Sequence, residues 1–218
     1  MRERELFNEK ERMSLPKINQ IQTMLELQDS MNTKVNASWR EQNFAWYRAI
    51  WIECAEMLDH HGWKWWKHQE MDREQMMLEL IDIWHFGLSI LIMRGDNAET
   101  LCKELTLGLS DVIAIEFPEQ LEGFTESVLH SRSFDARRFG SLMKSVGLEF
   151  EELYRSYVGK NVLNMFRQDK GYKEGSYIKE WGGKDDNEWL VEILQSLDLS
   201  AQGLADLVYE ALAESYPD

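Results

Sequence analysis

The sequence contains few of the residues that disulfide-linked or turn-rich folds require. Its 218 residues include 2 cysteines, 3 prolines and 13 glycines. Cys54 and Cys102 are too few for a disulfide framework, and neither stands in a zinc-binding spacing. So few prolines and glycines argue against a many-turned β-sandwich and favour long helices. We therefore expect an all-α fold, a helical bundle.

Positive charge is scarce as well. The chain has 24 lysines and arginines against 39 acids, a net charge of -15. This excess argues against a nucleic-acid backbone as the partner of the whole surface. No apolar run approaches the roughly eighteen residues of a membrane span, so no membrane partner is expected. The charged start, Met1 to Glu5, precedes no apolar signal-peptide core, and we expect a cytoplasmic protein.

Apolar residues are plentiful, and their spacing is helical. They make up 44% of the chain, enough for the core of one large domain spanning 1–218. Residues 1–16 are polar and are predicted to form a frayed lead-in. Residues 96–149 show weaker helical patterns, predicted to be accessory packing helices. The strong patterns predict helices over about 18–32, 44–60, 72–93, 150–166, 187–197 and 200–214.

Two of these helices each carry a pair of acids. Glu53 and Glu56 lie three residues apart, as do Glu79 and Asp82, so each pair shares a helix face. The spacing alone is common in so acidic a chain, but the neighbours of these acids are mostly apolar. Four carboxylates facing one another would repel unless a cation lay between them. Oxygen ligands favour Mg²⁺, with Mn²⁺ as a substitute.

Other metals fit the spacing less well. The spacing of Asp82 and His85 resembles one element of a di-iron bundle, but Asp59 stands where the first pair would need histidine. A zinc site lacks support from cysteines or spacing, and the histidines near the acids are predicted to be ordinary surface or core residues: His60, His61 and His68.

A basic segment follows much later in the chain. Lys160, Asn164 and Arg167 share one helix face, and residues 154–184 carry seven bases and three acids, a net charge of +4. Such a segment can bind a polyphosphate, and its glycine-rich part, 168–186, is predicted to be a mobile loop. Acids that hold Mg²⁺ and bases that neutralise phosphates together indicate phosphoryl hydrolysis by a metal-bound water.

Two further stretches suit a planar, polar ring. Trp63, Trp65 and Trp66 form a dense indole cluster, and their side chains could provide flat walls for such a ring. Gln28 and Asn32 end the first amphipathic helix with amides that can hydrogen-bond a neutral base.

With these motifs together, the chain resembles the all-α dimeric dUTPases of the all-α nucleoside triphosphate pyrophosphatase superfamily. The resemblance implies a bundle of that type with extra packing helices, forming a homodimer. It also implies hydrolysis of dUTP and dUDP to dUMP with magnesium. The blocks that carry it are Leu27–Asn32, Trp51–Asp59, Trp63–Lys67, Glu79–Phe86 and Gly159–Gln168, continuing to Asn187.

The resemblance also implies roles for individual residues, within 18–95 and 150–187. The implied magnesium ligands are Glu53, Glu56, Glu79 and Asp82, with Glu53 also positioning the attacking water. The implied contacts to base and sugar are Gln28, Asn32, Trp63, Trp66, His85 and Phe86. The implied phosphate contacts are Lys160, Asn164, Arg167 and Lys173, with Tyr172 and Asn187 closing over them.

Two alternatives stay open at this point. The nearer one is a sister pyrophosphatase of the same superfamily that acts on dCTP or on a broader set of nucleotides. The other is a non-enzymatic helical interaction protein whose acids and aromatic residues form a partner interface.

Overall fold

The computed structural model describes residues 2–113, 115–197 and 203–217, with side chains from residue 17 onward. The expected all-α fold is confirmed, since the described residues form long helices and only two strands of two residues each. In the described part the elements are α1 (Arg2–Val35), α2 (Trp46–His61), α3 (Arg73–Met93), α4 (Ala98–Ser110), α5 (Phe117–Ser131), α6 (Ala136–Val146), α7 (Phe150–Asp169), β1 (Glu180–Trp181), β2 (Lys184–Asp185), α8 (Asp186–Ser196) and α9 (Leu204–Ser215).

The largest departure from the predicted elements is at the start of the chain. The backbone is helical from Arg2, so the prediction of a frayed lead-in over 1–16 was wrong. This stretch is rich in Glu, Arg, Leu and Met, all good helix formers, and it contains no glycine. Two runs of charged residues, 2–5 and 9–12, hide the amphipathic pattern, but they do not oppose the helix.

Helix α3 forms the centre of the bundle. The side chain of Asp72 caps its first turn by accepting a hydrogen bond from the amide of Gln75 at 3.0 Å. Apolar residues occupy nearly every face of α3, and Leu80, Trp84 and Leu88 are fully buried. By length and composition the helix passes the test for a membrane span, but 61% of its most apolar window is buried inside the protein, as in a core helix.

Helices α2 and α3 pack antiparallel, and this places the two acidic pairs together. At one end, the amide of Asp72 donates to the carbonyl of His60 at 2.8 Å. At the other end, the ring of Trp46 stacks on Phe86 with centroids 6.0 Å apart. Between these ends, Glu53 on α2 faces the middle of α3, where the second acidic pair lies.

The region 96–149 supplies packing on the side away from the acids. Its helices α4, α5 and α6 pack against one another and against α1 and α2. The ring of Phe134 lies so close to Gly87 of α3 that a Cβ there would come within 2.4 Å of it. Trp84 stacks on Phe139 at 5.1 Å between ring centroids, which joins this layer to the core. No predicted site residue comes from this region.

Helix α7 returns along α1, and the last elements pack on its far side. The segment after α7 makes a turn in which Gly171 and Gly175 have φ values of 87° and 74°, a conformation that favours glycine. A two-residue hairpin of β1 and β2 follows, and it leads directly into α8. The start of α8 thereby lies next to α7 and the acidic face of α3.

Candidate active site

The predicted acids meet between α2 and α3. Oxygen atoms of Glu53, Glu56 and Glu79 all lie within 4.8 Å of one another. Asp82, one turn further along α3, forms an ion pair with the ammonium group of Lys160 on α7. The structure therefore brings the two acidic pairs to one place and adds a single lysine from the basic helix.

The burial of Glu53 does not come from the apolar residues that stand next to it in the sequence. Trp51 and Ile52 are 48% and 50% exposed, so they lie on the outer face of α2. Glu53 is half-buried because its side chain faces α3, where Glu79 is buried. The helical spacing was correct, but the apolar side of α2 is the one that carries Ile50, Cys54 and Met57.

Crowding shifts the protonation of the acidic cluster. Burial, a hydrogen bond with Glu79 and the charges of Asp82, Glu79 and Glu56 raise the pKa of Glu53 to about 8. Burial also raises the pKa of Glu79, while its hydrogen bond with Glu53 and the charge of Lys160 act in the opposite direction. Without a cation, the cluster thus holds a proton near neutral pH. A set of partly buried oxygen donors that retains a proton in this way fits Mg²⁺ or Mn²⁺.

A cavity of about 350 Å³ adjoins the cluster. Glu79 and Asp82 line one side of it, Lys160 lies beside them, and Asn187 at the start of α8 lines another side. Asn187 is held in place by its amide group, which donates to Asp185 at 2.8 Å. Acids, one cation and an amide around a single cavity form a suitable setting for phosphates and a metal.

A second cavity, of about 240 Å³, lies towards the other end of α3. Asp82 lines both cavities, so they adjoin at this residue. The predicted site residues that line the second cavity are Gln28, Asn32, Asp82, His85, Phe86 and Asn164.

Three aromatic residues of this cavity escaped the sequence interpretation: Trp39, Phe44 and Trp46. Trp39 is buried, and its indole N–H donates to Asp29 at 3.2 Å. Trp46 packs edge-to-face with both Trp39 and Phe44, at 6.2 and 5.5 Å between centroids. The available signal was a pair of aromatic residues in the otherwise polar stretch 36–44, since a polar connection seldom contains large rings without burying them.

Within one chain, the structure does not bring the predicted indole wall to the second cavity. Trp63 and Trp66 follow the C-terminal end of α2, are 46% and 57% exposed, and contact each other at 5.2 Å between centroids. The second cavity lies at the opposite end of α2, beside Trp46. The flat walls next to Gln28 are therefore the missed residues, and a substrate role for the exposed indoles stays a prediction.

A buried polar network forms the floor of the second cavity. Gln28 donates to Asn32 and to Ser89, both at 3.1 Å, while its oxygen lies 3.0 Å from the hydroxyl of Tyr157, which also reaches the carbonyl of Met24 at 2.8 Å. The oxygen of Gln28 lies 2.9 Å from Nδ1 of His85. Burial, with a smaller contribution from Lys160, lowers the pKa of His85 to about 3, so the ring is neutral. Nothing local in the sequence marks Ser89 or Tyr157 as members of this network.

The basic helix is less free than its sequence suggested. Arg167 makes two hydrogen bonds to Asp186, at 2.7 and 2.8 Å, and Asp186 is fully buried. The hydroxyl of Tyr177 donates to the same carboxylate at 2.8 Å, and Arg167 also donates to Asn164 at 2.9 Å. The guanidinium that was predicted to bind phosphate is thus engaged in holding α8 to α7, which leaves Lys160 as the base of this face beside the acids.

The remaining predicted residues lie on the turn after α7. Lys173 donates to the backbone carbonyl of Val35 at the end of α1, and Val35 lines the second cavity. Tyr172 is exposed and packs near Tyr177, with ring centroids 6.1 Å apart. Lys173 therefore lies near the second cavity, and neither residue is part of the acidic cluster.

The comparisons with known proteins agree with this geometry. A family model described as dUTPase matches residues 20–172, which include all four acids, the network around Gln28 and the basic helix α7. No curated protein matches the chain. A match over most of the chain, with the acidic cluster and the whole lining of the second cavity inside it, shows that this chain belongs to the all-α dUTPase family.

Proposed function

We propose that the chain hydrolyses dUTP, and also dUDP, to dUMP in the presence of Mg²⁺, which Mn²⁺ can replace. The observation that carries this proposal is the position of Asp82, which lines both the cavity beside the acids and the aromatic cavity. A nucleotide lying across Asp82 would have its phosphates beside the acidic cluster and its base between aromatic walls.

The acids would hold the cation through oxygen atoms of Glu53, Glu56, Glu79 and Asp82. When bound, the cation supplies positive charge that offsets the charge of the phosphates and favours attack on phosphorus. Glu53 is the proposed base, because its half-buried side chain faces the other acids and, once the cation displaces the shared proton, its carboxylate can accept a proton from water.

Lys160 and Asn187 are the proposed phosphate contacts next to the cation. Lys160 already pairs with Asp82, so a phosphate oxygen in the cavity would share its ammonium group. Arg167, Asn164, Lys173 and Tyr172 stay predicted contacts, with Arg167 acting from its position against Asp186.

For the base and sugar we propose the aromatic cavity. Aromatic walls can stack on any pyrimidine, because stacking depends little on the polar groups at the edge of the ring. Specificity for one base must therefore come from the polar floor that contains Gln28 and Asn32. Phe86 lines the same cavity and would oppose a 2′-hydroxyl, which favours a deoxyribose. Trp63 and Trp66 are kept as predicted walls.

We also propose a homodimer in the cytoplasm, with residues 1–218 as one domain. The support is the family resemblance, together with exposed apolar side chains on the outer face of α2 and on the turn after it: Trp51, Ile52, Trp63, Trp65 and Trp66.

The deciding experiment measures pyrophosphate release from dUTP, dCTP, dTTP and UTP, with and without Mg²⁺. The proposal expects cation-dependent release with a clear preference for dUTP. Equal or greater release from dCTP would support the sister pyrophosphatase instead. A helical interaction protein would release no pyrophosphate from any of these nucleotides. Its E79A variant would bind nucleotides no differently from the unaltered chain.

A further inference from the structure

Ser89 lies at the centre of the network beneath the second cavity. Its side chain is fully buried, and its hydroxyl donates to the backbone carbonyl of His85 at 3.0 Å. A serine hydroxyl has one hydrogen, so the oxygen of Ser89 can only accept from its other two neighbours. Those neighbours are the amide groups of Gln28 and Asn32, at 3.1 and 2.9 Å.

This requirement sets the orientation of both amides. Each must turn its nitrogen towards Ser89, because an amide oxygen there would face another oxygen with no hydrogen between them. Gln28 then gives its second N–H to the oxygen of Asn32, at 3.1 Å. That contact is a second constraint on the orientation of Asn32. If the amide of Asn32 were rotated, its nitrogen would face the nitrogen of Gln28.

Gln28 itself has no N–H group left for a ligand. Both of its N–H groups are used, by Asn32 and Ser89. Its oxygen lies 2.9 Å from Nδ1 of His85 and 3.0 Å from the hydroxyl of Tyr157, which shares its one hydrogen with the carbonyl of Met24 at 2.8 Å. Contact with the base edge, which was predicted for Gln28, is therefore left to the neighbouring Asn32.

Asn32 keeps one donor and one acceptor. It gives one N–H to Ser89 and accepts one hydrogen bond from Gln28, and its side chain has no further partner among the described residues. An amide can form two bonds through each end, so one N–H and one lone pair remain beside the cavity that Asn32 lines.

Uracil and cytosine differ in whether their edges can pair with the remaining N–H and lone pair of Asn32. Uracil presents an N3–H donor next to a carbonyl acceptor, so both of its groups can pair with the oxygen and the N–H of Asn32. Cytosine presents an N3 acceptor next to an amino donor, and in the same pose acceptor meets acceptor and donor meets donor. Buried polar groups left unpaired in this way give strong discrimination between substrates.

We propose that Ser89 is a positioning residue that fixes the amide of Asn32 in the orientation that accepts uracil and rejects cytosine. This inference rests on the proposed function, because it assumes that the second cavity holds the base. It assigns no contact between Ser89 and the substrate. The hydroxyl acts through Gln28 and Asn32, and its effect is on the choice between bases.

The test compares dUTP with dCTP in the unaltered protein and in S89A, S89C and S89T. In S89A the strong acceptor is absent and only the contact with Gln28 still orients Asn32, so the ratio of kcat/KM for dUTP to that for dCTP is expected to fall at least about tenfold. S89C keeps the volume with a weak acceptor and should behave in the same way. S89T keeps the hydroxyl and should preserve the ratio.

Ser141 provides a matched control. It is also a buried helical serine whose hydroxyl donates to a backbone carbonyl, that of Arg137 at 3.0 Å, and accepts a hydrogen bond, from the amide of Ile113 at 2.9 Å. It lies in α6, away from the cavity, so S141A is expected to lower the melting temperature without changing the ratio. Calorimetric binding of dUMP and dCMP gives the same comparison without turnover.

The results separate two kinds of failure. If the unaltered protein prefers dUTP and S89A and S89C keep that preference in both turnover and binding, the role of Ser89 is overturned while the proposed function stands. If the unaltered protein shows no preference for dUTP, the proposed function fails, and the inference fails with it.

Discussion

Arg167 and Asp186 form a two-bonded ion pair between α7 and the start of α8, and the carboxylate of Asp186 is completely buried. Since Asn187 follows directly, this pair also places one wall of the cavity beside the acids. Arg167, which is predicted to contact phosphate, therefore also links two helices that shape the cavity beside the acids.

This pair predicts a large loss of stability when one partner is removed. D186A leaves the guanidinium of Arg167 partly buried without its counter-charge, so we expect about 3–5 kcal/mol less free energy of unfolding. Urea denaturation monitored by circular dichroism measures it. E99A is the control, because Glu99 pairs with Lys103 on the exposed surface and its removal should change the free energy of unfolding far less than D186A does. Equal effects of the two variants would show that the buried pair is unimportant.

The acidic cluster predicts that the metal-free protein loses stability as pH rises. The pKa of Glu53 is raised in the folded state from 4.5 to about 8, so the folded protein binds more protons than the unfolded chain between these values. The stabilising effect of the shared proton is complete below about pH 4.5 and is lost as pH rises through about 8. Melting temperatures in a chelator from pH 5 to 9 measure it.

Mg²⁺ and the E53Q variant provide the controls for that experiment. Saturating Mg²⁺ replaces the proton. The melting temperature should therefore rise most at high pH, where the carboxylates of the metal-free cluster are charged and repel one another. E53Q lacks the titrating group and should show a flatter pH dependence in the chelator. E70Q, at an exposed position outside the cluster, should follow the unaltered protein. A profile that E53Q leaves unchanged would contradict the raised pKa.

The buried ring of His85 predicts that stability depends on pH with the opposite sign in acid. Burial lowers its pKa from 6.5 to about 3, so the unfolded chain binds a proton that the folded protein does not. Stability is therefore lost as pH falls below about 6.5, by up to about 1.4 kcal/mol per pH unit. Urea denaturation of the unaltered protein and of H85Q between pH 7 and 4.5 measures this difference in slope. H68Q, which changes an exposed histidine, should leave the slope unchanged.

The second cavity predicts which aromatic residues hold the base. Phe44 lines it while remaining partly exposed, so F44A should fold normally and raise the KM for dUTP by about 5- to 100-fold through lost stacking. Steady-state kinetics with Mg²⁺ measures the change. W65A removes a fully exposed ring from the other end of α2 and serves as the comparison. A larger effect of W66A than of F44A would instead place the base at the indole cluster.

Much of this architecture follows from local spacing. The bounds of α3, Arg73–Met93, lie within a residue of the predicted 72–93, because its apolar residues and its Asp72 cap are adjacent in sequence. The same is true of the acids: a three-residue spacing places Glu53 beside Glu56 on a helix whatever the rest of the chain does. The all-α fold and the acidic face were therefore available from the sequence.

The sequence by itself determined the helices, their acidic pairs and the family resemblance, whereas the tertiary structure decided which residues share a cavity. Ser89 contacts Gln28 across 61 positions, and Lys160 contacts Asp82 across 78. Such contacts depend on how whole helices pack, and no periodicity encodes them. Packing also placed Trp46, and not Trp63, beside the polar floor, because the two ends of α2 face different parts of α3.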